Sequence, residues 1–485
     1  MDFSATNYTL MSPELLLCSA ALVILVLDFV ITKGSRRWIG YLSFITIIAA
    51  VIEVVCRGAE PGTAFFGLYL QDGISMAFKV VLGITAALVL LMSIAYSEKI
   101  KAFEGEFYVL TLFAALGMFL MVSASDFMSL YVALELTTIT FYILASYLRD
   151  NEISLESGIK YLILGAMASG VLLYGISFIY GVTGSTSFVE IQKSLAQMSE
   201  FPQTLKFGMV LVIAGLSFKI AAVPFHIWAP DVYEGAPTPV TAFLAVGSKV
   251  AGVAVLLRVL YTALMPMQEV WIGVLCGIAA ITMIFGNLAA IPQKNIKRLM
   301  AYAGIGSAGY IFMALAAASK LGAGATIYYL AAYLFSTIGA FLVIVLVANS
   351  TGGERIEDFN GLARKEPYLA ATAFIGLMSL AGVPPLGGFI GKFYLLAAII
   401  EQKNYLIAFL GAVMAAVTLY YLVLVIKAMY MREPVNDDRI DVSLGMKFAL
   451  TVCNLGVIYL GIYPGPVTDY AINMAQKVFF KILEG

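Results

Sequence analysis

Apolar runs of bilayer length recur along this chain almost from end to end, and two of them carry a lysine in their interior. Backbone groups in lipid can be satisfied only inside a helix or a closed barrel, and a spanning helix takes about 20 apolar residues for a hydrocarbon core of roughly 30 Å. On that rule the 485-residue sequence predicts about fourteen spans, at 15–31, 38–55, 74–95, 108–122, 127–147, 158–180, 205–228, 239–261, 270–291, 299–318, 325–347, 368–400, 405–431 and 442–462. Hydrophobic residues make up 61% of the chain and charged residues 12%, with a mean hydropathy of +0.94, which is membrane composition. Residues 1–485 therefore read as one all-α polytopic membrane domain, and the first run is expected to stay as a span rather than be removed as a signal.

The stretch 205–261 organises the rest. It places Lys219 and Lys249 inside two spans, and between them lies PFHIWAPDVYEGAPTP, with four prolines and the only histidine, His226. A lysine at mid-bilayer depth costs about 3 kcal/mol on insertion scales, so it turns to a partner, a cavity or water. A buried amine's charge state also depends strongly on its neighbours, which makes two such lysines beside a proline-rich break candidate reversible proton carriers. Glu135, near the middle of the span MSLYVALELTTITFYIL, is beyond easy reach of either surface. If it faces the same cavity, it holds a nearby lysine charged, and its withdrawal lets the proton go. Lys392, in GGFIGKFYLL, follows a second break by two turns. His226 either relays protons near neutral pH or caps exposed backbone.

The remaining intramembrane charges have plainer explanations. Asp28 lies near Lys33, Arg36 and Arg37, Lys79 and Arg258 lie near the outer ends of their spans, and Glu53 is close to the outer surface, where interfacial pairing or snorkelling suffices. Lys427 belongs to an inner end, and Asp231 and Glu234 to the inner mouth. Basic residues gather in alternate loops, among them Lys33, Arg36, Lys99, Lys101, Lys297, Arg298, Arg355 and Arg439. Basic loops stay cytoplasmic, so both termini are expected outside, with residues 464–485 as a short amphipathic helix at the outer interface.

Two segments do not fit a simple span. Residues 368–400 would extend about 50 Å as one helix, yet contain Val383-Pro384-Pro385-Leu386-Gly387-Gly388, so two half-helices are expected. The seventh span is similarly interrupted at Pro224, and Ala221-Ala222-Val223-Pro224 echoes Ala381-Gly382-Val383-Pro384. Paired broken helices in two halves of a chain point to an inverted-repeat transporter.

Several functions are excluded. A formal net charge of −1 with no basic patch gives no footprint for nucleic acid. Cys18, Cys56, Cys276 and Cys453 are scattered, with one histidine in all, too few ligands for iron–sulfur, zinc or haem. Gly304-Ile305-Gly306-Ser307-Ala308-Gly309 matches GxGxxG but lies in an apolar helix, where small residues serve close packing.

The run from Phe218 to Lys249, with Gln293-Lys294-Asn295-Ile296-Lys297-Arg298-Leu299-Met300-Ala301-Tyr302 and Gly388-Phe389-Ile390-Gly391-Lys392-Phe393-Tyr394, is similar to the signature of antiporter-like proton-translocating membrane subunits. Within respiratory complex I, the bacterial NADH-quinone oxidoreductase, Leu134-Glu135-Leu136, a lysine at 392 and the lack of a long lateral extension resemble the N branch of that family rather than L or M. The resemblance implies fourteen helices, discontinuous seventh and twelfth helices, and two inverted five-helix repeats, 108–261 and 270–431, between helices 1–3 (1–107) and a last helix with its tail (442–485). It implies that Glu135 pairs with Lys219, that Lys249 links onward, and that Lys392 closes a half-channel on the far side. It implies partners in the bilayer: M on one side, K and J on the other, and the lateral helix of L. No cofactor is expected in this chain, with FMN, iron–sulfur clusters and quinone in other subunits. One departure is Ser307-Ala308, where some relatives have a Ser-His pair. The rival reading is a subunit of a multisubunit sodium/proton antiporter.

Overall fold

The computed structural model describes residues 7–30, 37–58, 61–100, 104–434 and 440–480. Lys33, Arg36, Lys101, Arg439 and the last five residues of the expected tail lie outside them, as does the expected pairing of Asp28 with Lys33 and Arg36. Helices dominate, and several begin where a polar side chain takes over the free amides. The long helices are α1 (Ser12–Val30), α2 (Arg37–Arg57), α3 (Gly73–Ala95), α4 (Glu104–Ser123), α5 (Phe127–Ala145), α6 (Glu152–Thr183), α7 (Gln203–Ile220) and α8 (Thr238–Ala263). They continue as α9 (Gln268–Ala290), α10 (Ile296–Leu315), α11 (Lys320–Thr351), α12 (Pro367–Ala381), α13 (Gly387–Glu401), α14 (Tyr405–Met431), α15 (Leu444–Ile462) and α16 (Gly465–Ala475). Asp126, Asn151 and Asn295 cap α5, α6 and α10 by accepting from two backbone amides each.

Twelve of the described helices are long and apolar enough to cross a bilayer. The two expected spans outside that set are α10 and the twelfth segment, which is split into α12 and α13 as its prolines require. The seventh segment breaks too: α7 stops at Ile220, and the chain resumes helix only at Trp228–Gly235. Left-handed residues close both first halves, Ala221 (φ 60°) after α7 and Gly382 (φ 89°) after α12. Three residues beyond each stands a cis proline, Pro224 and Pro385. The structural match between the two breaks is thus Ala221 with Gly382, one residue out of step with the sequence echo.

Other positions in the two halves also correspond. α6 and α11 each span 32 residues and end in Thr-Gly, with left-handed Gly184 (φ 70°) and Gly352 (φ 74°) as caps. Three residues past each cap the chain makes an isolated β-bridge to the cap of a helix in the same half, Ser187 to Asp126 and Arg355 to Asn295. Among the described residues the sheet consists of one short hairpin, Gly62–Ala64 against Tyr69–Gln71 in register Thr63↔Leu70, between α2 and α3. The tail helix α16 docks on α11, with Thr468, Ala471 and Ala475 buried.

Apolar burial between helices gains little in lipid, so cohesion comes from close packing and polar contacts. α9 meets α10 where Gly286 lies against Gly306, and a Cβ at Gly286 would stand 2.4 Å from the Gly306 amide nitrogen. That contact is the work of the GxGxxG run. α8 and α11 form the centre, the most apolar stretch of α8 being wholly buried, whereas α1, α6, α9 and α14 lie at the perimeter.

The N-terminal ends of α1 and α3 and the C-terminal end of α8 are joined by buried ion pairs. Lys79 is 2.5 Å from Glu14 and donates to the Tyr69 hydroxyl at 2.7 Å, with the two charged side chains 2% and 1% exposed. Arg258 forks onto both Asp72 oxygens at 3.0 Å. Lys79 and Arg258 therefore do not snorkel, because each meets a carboxylate brought from another helix or its cap. Lys79→Met strands the Glu14 carboxylate and is expected to cost about 3–5 kcal/mol, whereas Glu14→Leu with Lys79→Met removes both charges and costs much less. Thermal unfolding of the purified protein in detergent, compared across the two variants, checks this order.

Candidate functional site

Lys219 is the penultimate residue of α7, so its amine sits at the negative end of the helix, just before the break. It is 4% exposed, and its Nζ donates to Thr138 Oγ1 at 2.5 Å. Thr138 follows Glu135 by one turn of α5. Glu135 in turn accepts from Ser169 Oγ of α6 at 2.5 Å. No ion pair among the described residues joins Glu135 to Lys219. Each charged group instead takes its own hydroxyl, and Thr138, Ser169 and Lys219 together line a cavity of about 10 Å³. That is about the least space that accepts one water molecule.

Lys249, 2% exposed, opens the α-helical part of α8 directly after a π-helical turn, Leu244–Ser248. Its Nζ donates to the Gly304 carbonyl of α10 at 2.5 Å and reaches the Tyr333 hydroxyl of α11 at 3.3 Å. Glycine makes this approach possible, since a Cβ at 304 would stand 3.0 Å from the amine. Lys392, 5% exposed, reaches back from α13 across the second break, donating to the Ala381 carbonyl at 3.1 Å and lying 4.9 Å over the Tyr310 ring. All three amines thus meet neutral oxygens, in contrast to Lys79 and Arg258.

Counting from the two β-bridged caps, Glu135 of α5 falls where α10 has Gly304, and Thr138 where it has Ser307. Acceptors for Lys219 and Lys249 therefore come from corresponding helices. Around them, the hydroxyls of Tyr142 and Ser217 are buried with no hydrogen-bond partner among the described residues, while Tyr161 is within reach of Ser248, Tyr329 of Ser307 and Tyr333 of Thr337. Buried polar atoms of this kind are ordinarily served by internal water. His226 lies within the first break, its ring edge-on to Phe285 of α9 at 4.6 Å and its Nδ1 likewise buried without a partner among the described residues.

Asp231 and Glu234 do lie in a charged cluster. Arg298 bridges them at 2.8 Å each, and Lys160 reaches Asp231 at 2.7 Å. Nearby, Lys297 is 2.9 Å from Glu354, and a cavity of about 500 Å³ opens past Tyr96, Lys99, Glu234, Lys297 and Glu354. Partial burial pushes the Lys99 amine below the ordinary lysine range; Glu354 opposes this and Lys297 adds to it. Glu53 pairs with Arg57 at 2.9 Å, Lys427 is exposed, and Asp28 lies against Gly105 at the start of α4.

The acceptors are the residues that sequence reasoning missed. Thr138 carried a signal, one helical turn from Glu135, but the Gly304 and Ala381 carbonyls carry none, because any residue supplies a carbonyl.

Residues 124–418 match the family described as NADH:quinone oxidoreductase/Mrp antiporter, TM. The chain is 41% identical over 474 residues to NADH-quinone oxidoreductase subunit N of Moorella thermoacetica, covering 98% of this chain and 99% of that protein. It is 42% identical over 473 residues to the protein of the same name from Desulforamulus reducens, covering 98% and 99%. Among solved structures it is similar to a chain of respiratory complex I from Thermus thermophilus with bound aureothin, at TM-score 0.81 and 31% identity, over 94% of this chain and 98% of that one. It also shares its fold with a chain of the Mrp complex from Dietzia sp. DQ12-45-1b, at TM-score 0.87 and 20% identity over 97% of each.

Thr138→Val keeps the shape but removes the Lys219 acceptor, and is expected to cost about 1–3 kcal/mol, while Thr138→Ser keeps the hydroxyl and costs less. The difference between the two in thermal unfolding midpoint checks the assignment.

Proposed function

The chain belongs to the NADH:quinone oxidoreductase/Mrp antiporter family, on its subunit N branch, and as a proton-translocating membrane-arm subunit we propose that it carries protons on Glu135, Lys219, Lys249 and Lys392. One contrast supports this reading. Every buried lysine of the central row faces a neutral oxygen, while the buried cations at the outer ends of α3 and α8 face carboxylates. Thr138 donates its own hydroxyl to the Leu134 carbonyl at 2.6 Å and accepts from Lys219; a lysine that has lost one proton still has two N–H groups to donate, so Lys219 keeps its partner in either charge state. An ion pair does not offer that freedom, because loss of the proton strands the carboxylate.

A change arriving from a neighbouring subunit moves the Glu135 carboxylate relative to Lys219, and the field at the amine changes with it. Each tenfold change in the amine's proton affinity corresponds to about 1.4 kcal/mol, so a modest change in field is enough to pass the proton on. Protons enter from the mouth beside Lys99, Lys297 and Glu354, travel by water and the buried hydroxyls between Lys219, Lys249 and Lys392, and leave past the second break. His226 is a further relay at the first break, where its Nδ1 meets no acceptor among the described residues. The matched caps, bridges and breaks of the two halves support two repeats, 108–261 and 270–431.

The other subunits of the complex are this chain's partners, and oxidation of NADH and reduction of quinone take place in them. We place M on one side, K and J on the other, and the lateral helix of L alongside, in a bacterial inner membrane with both termini outside. FMN, iron–sulfur clusters and quinone belong to those partners in this proposal.

Lys219→Ala and Lys249→Ala, each assembled into the complex in membrane vesicles, are expected to sustain NADH-driven quinone reduction with fewer protons moved per electron. Wild-type stoichiometry in both variants contradicts the proposal.

A further inference from the structure

Lys249 and Arg258 are the first and last residues of one ten-residue α-helical stretch, Lys249–Arg258. π-helical turns bound it on both sides, Leu244–Ser248 before and Val259–Ala263 after. Such turns interrupt the regular ladder of hydrogen bonds and are frequent at functional sites. The stretch between them is regular and wholly buried, so it is a rod about 13.5 Å from Lys249 to Arg258 at 1.5 Å per residue. At its inner end Lys249 touches the Gly304 carbonyl. In its middle, Gly252 packs beside Ile220 and the stem of Lys219, where an added Cβ would stand 3.1 Å and 3.4 Å from their side chains. At its outer end Arg258 is forked onto Asp72.

Asp72 is itself held. It caps α3, accepting from the Ser75 amide at 2.8 Å while its own amide donates to Ser75 Oγ at 2.8 Å. α3 in turn is tied to α1 through Lys79 and Glu14. The outer end of the rod is therefore held by a charge pair, whereas the end that bears the amine meets only neutral oxygens.

We infer that Arg258 and Asp72 are positioning residues for proton transfer: their two-pronged contact fixes the outer end of the Lys249–Arg258 rod and thereby sets where Lys249 stands relative to Gly304 and the Lys219 stem. The inference rests on the proposed proton-carrying role of Lys249. A guanidinium suits this task because two parallel hydrogen bonds fix orientation as well as distance, which a lysine amine cannot do.

The test is the proton-to-electron ratio of the assembled complex in membrane vesicles, with Lys249→Ala defining the share that depends on this subunit. Arg258→Gln is expected to assemble, to keep quinone reduction, and to lose at least two thirds of that share. Arg258→Lys, charged but single-pronged, is expected to fall between. A wild-type ratio in assembled Arg258→Gln overturns the inference. If Arg258→Gln does not assemble, Arg258→Lys decides: an intermediate ratio supports the inference and a wild-type ratio overturns it. Failure of both to assemble also overturns it, by assigning the pair to folding alone. A wild-type ratio in Lys249→Ala instead refutes the proton-carrying role itself, which separates the two failures.

Discussion

A charged group that cannot reach water must be answered by the protein around it, and this chain answers its buried cations in two ways. Where the N-terminal ends of α1 and α3 meet the C-terminal end of α8 the answer is a carboxylate, Glu14 for Lys79 and Asp72 for Arg258. Across the centre it is a neutral oxygen, from Thr138, Gly304 or Ala381. The first kind locks a charge in place, and its loss leaves an uncompensated partner. The second tolerates either state. One sequence thus contains two sets of buried cations, distinguished by what faces them rather than by residue type.

At the second helix break a free carbonyl supplies the acceptor, whereas Thr138 and Gly304 lie within unbroken helices. A continuous helix satisfies its own carbonyls, whereas a half-helix ends in free ones. α12 ends at Ala381 with a left-handed Gly382, and Lys392 from the next half-helix returns to that end. α7 ends one residue after Lys219, again with a left-handed cap. Between these points a row of buried hydroxyls, Tyr161 with Ser248, Tyr329 with Ser307 and Tyr333 with Thr337, together with the partnerless Tyr142 and Ser217 among the described residues, supplies polar places for water in an otherwise apolar interior. The rod that carries Lys249 crosses this region and is held beyond it by the Arg258–Asp72 pair.

Much of the fold is legible in the sequence because membrane spans announce themselves by length and composition, and prolines announce breaks. The split at Pro384 and Pro385, the interruption at Pro224 and the burial of the three lysines follow from those rules. The long extents of α6 and α11 do not, because their ends are set by Asn151, Ser319 and two cap glycines rather than by hydropathy. The buried pairs of Lys79 and Arg258 look interfacial in the sequence because their carboxylates lie far away along the chain. Direct contact of Glu135 with Lys219 is what the resemblance implies, and two hydroxyls take its place. Backbone acceptors such as Gly304 have no sequence signature at all, and tertiary approach alone reveals them.

The central claim is that the three central amines facing neutral oxygens change charge during turnover and the Lys79 amine, which faces Glu14, does not. Infrared difference spectra of the working complex, prepared with isotopically labelled lysine, measure this directly. Lysine bands that appear on adding NADH, diminish when Lys219, Lys249 or Lys392 is replaced, and persist in a complex lacking both Lys79 and Glu14 are the result expected. Absence of any lysine band, or its survival with all three central lysines replaced, contradicts the account.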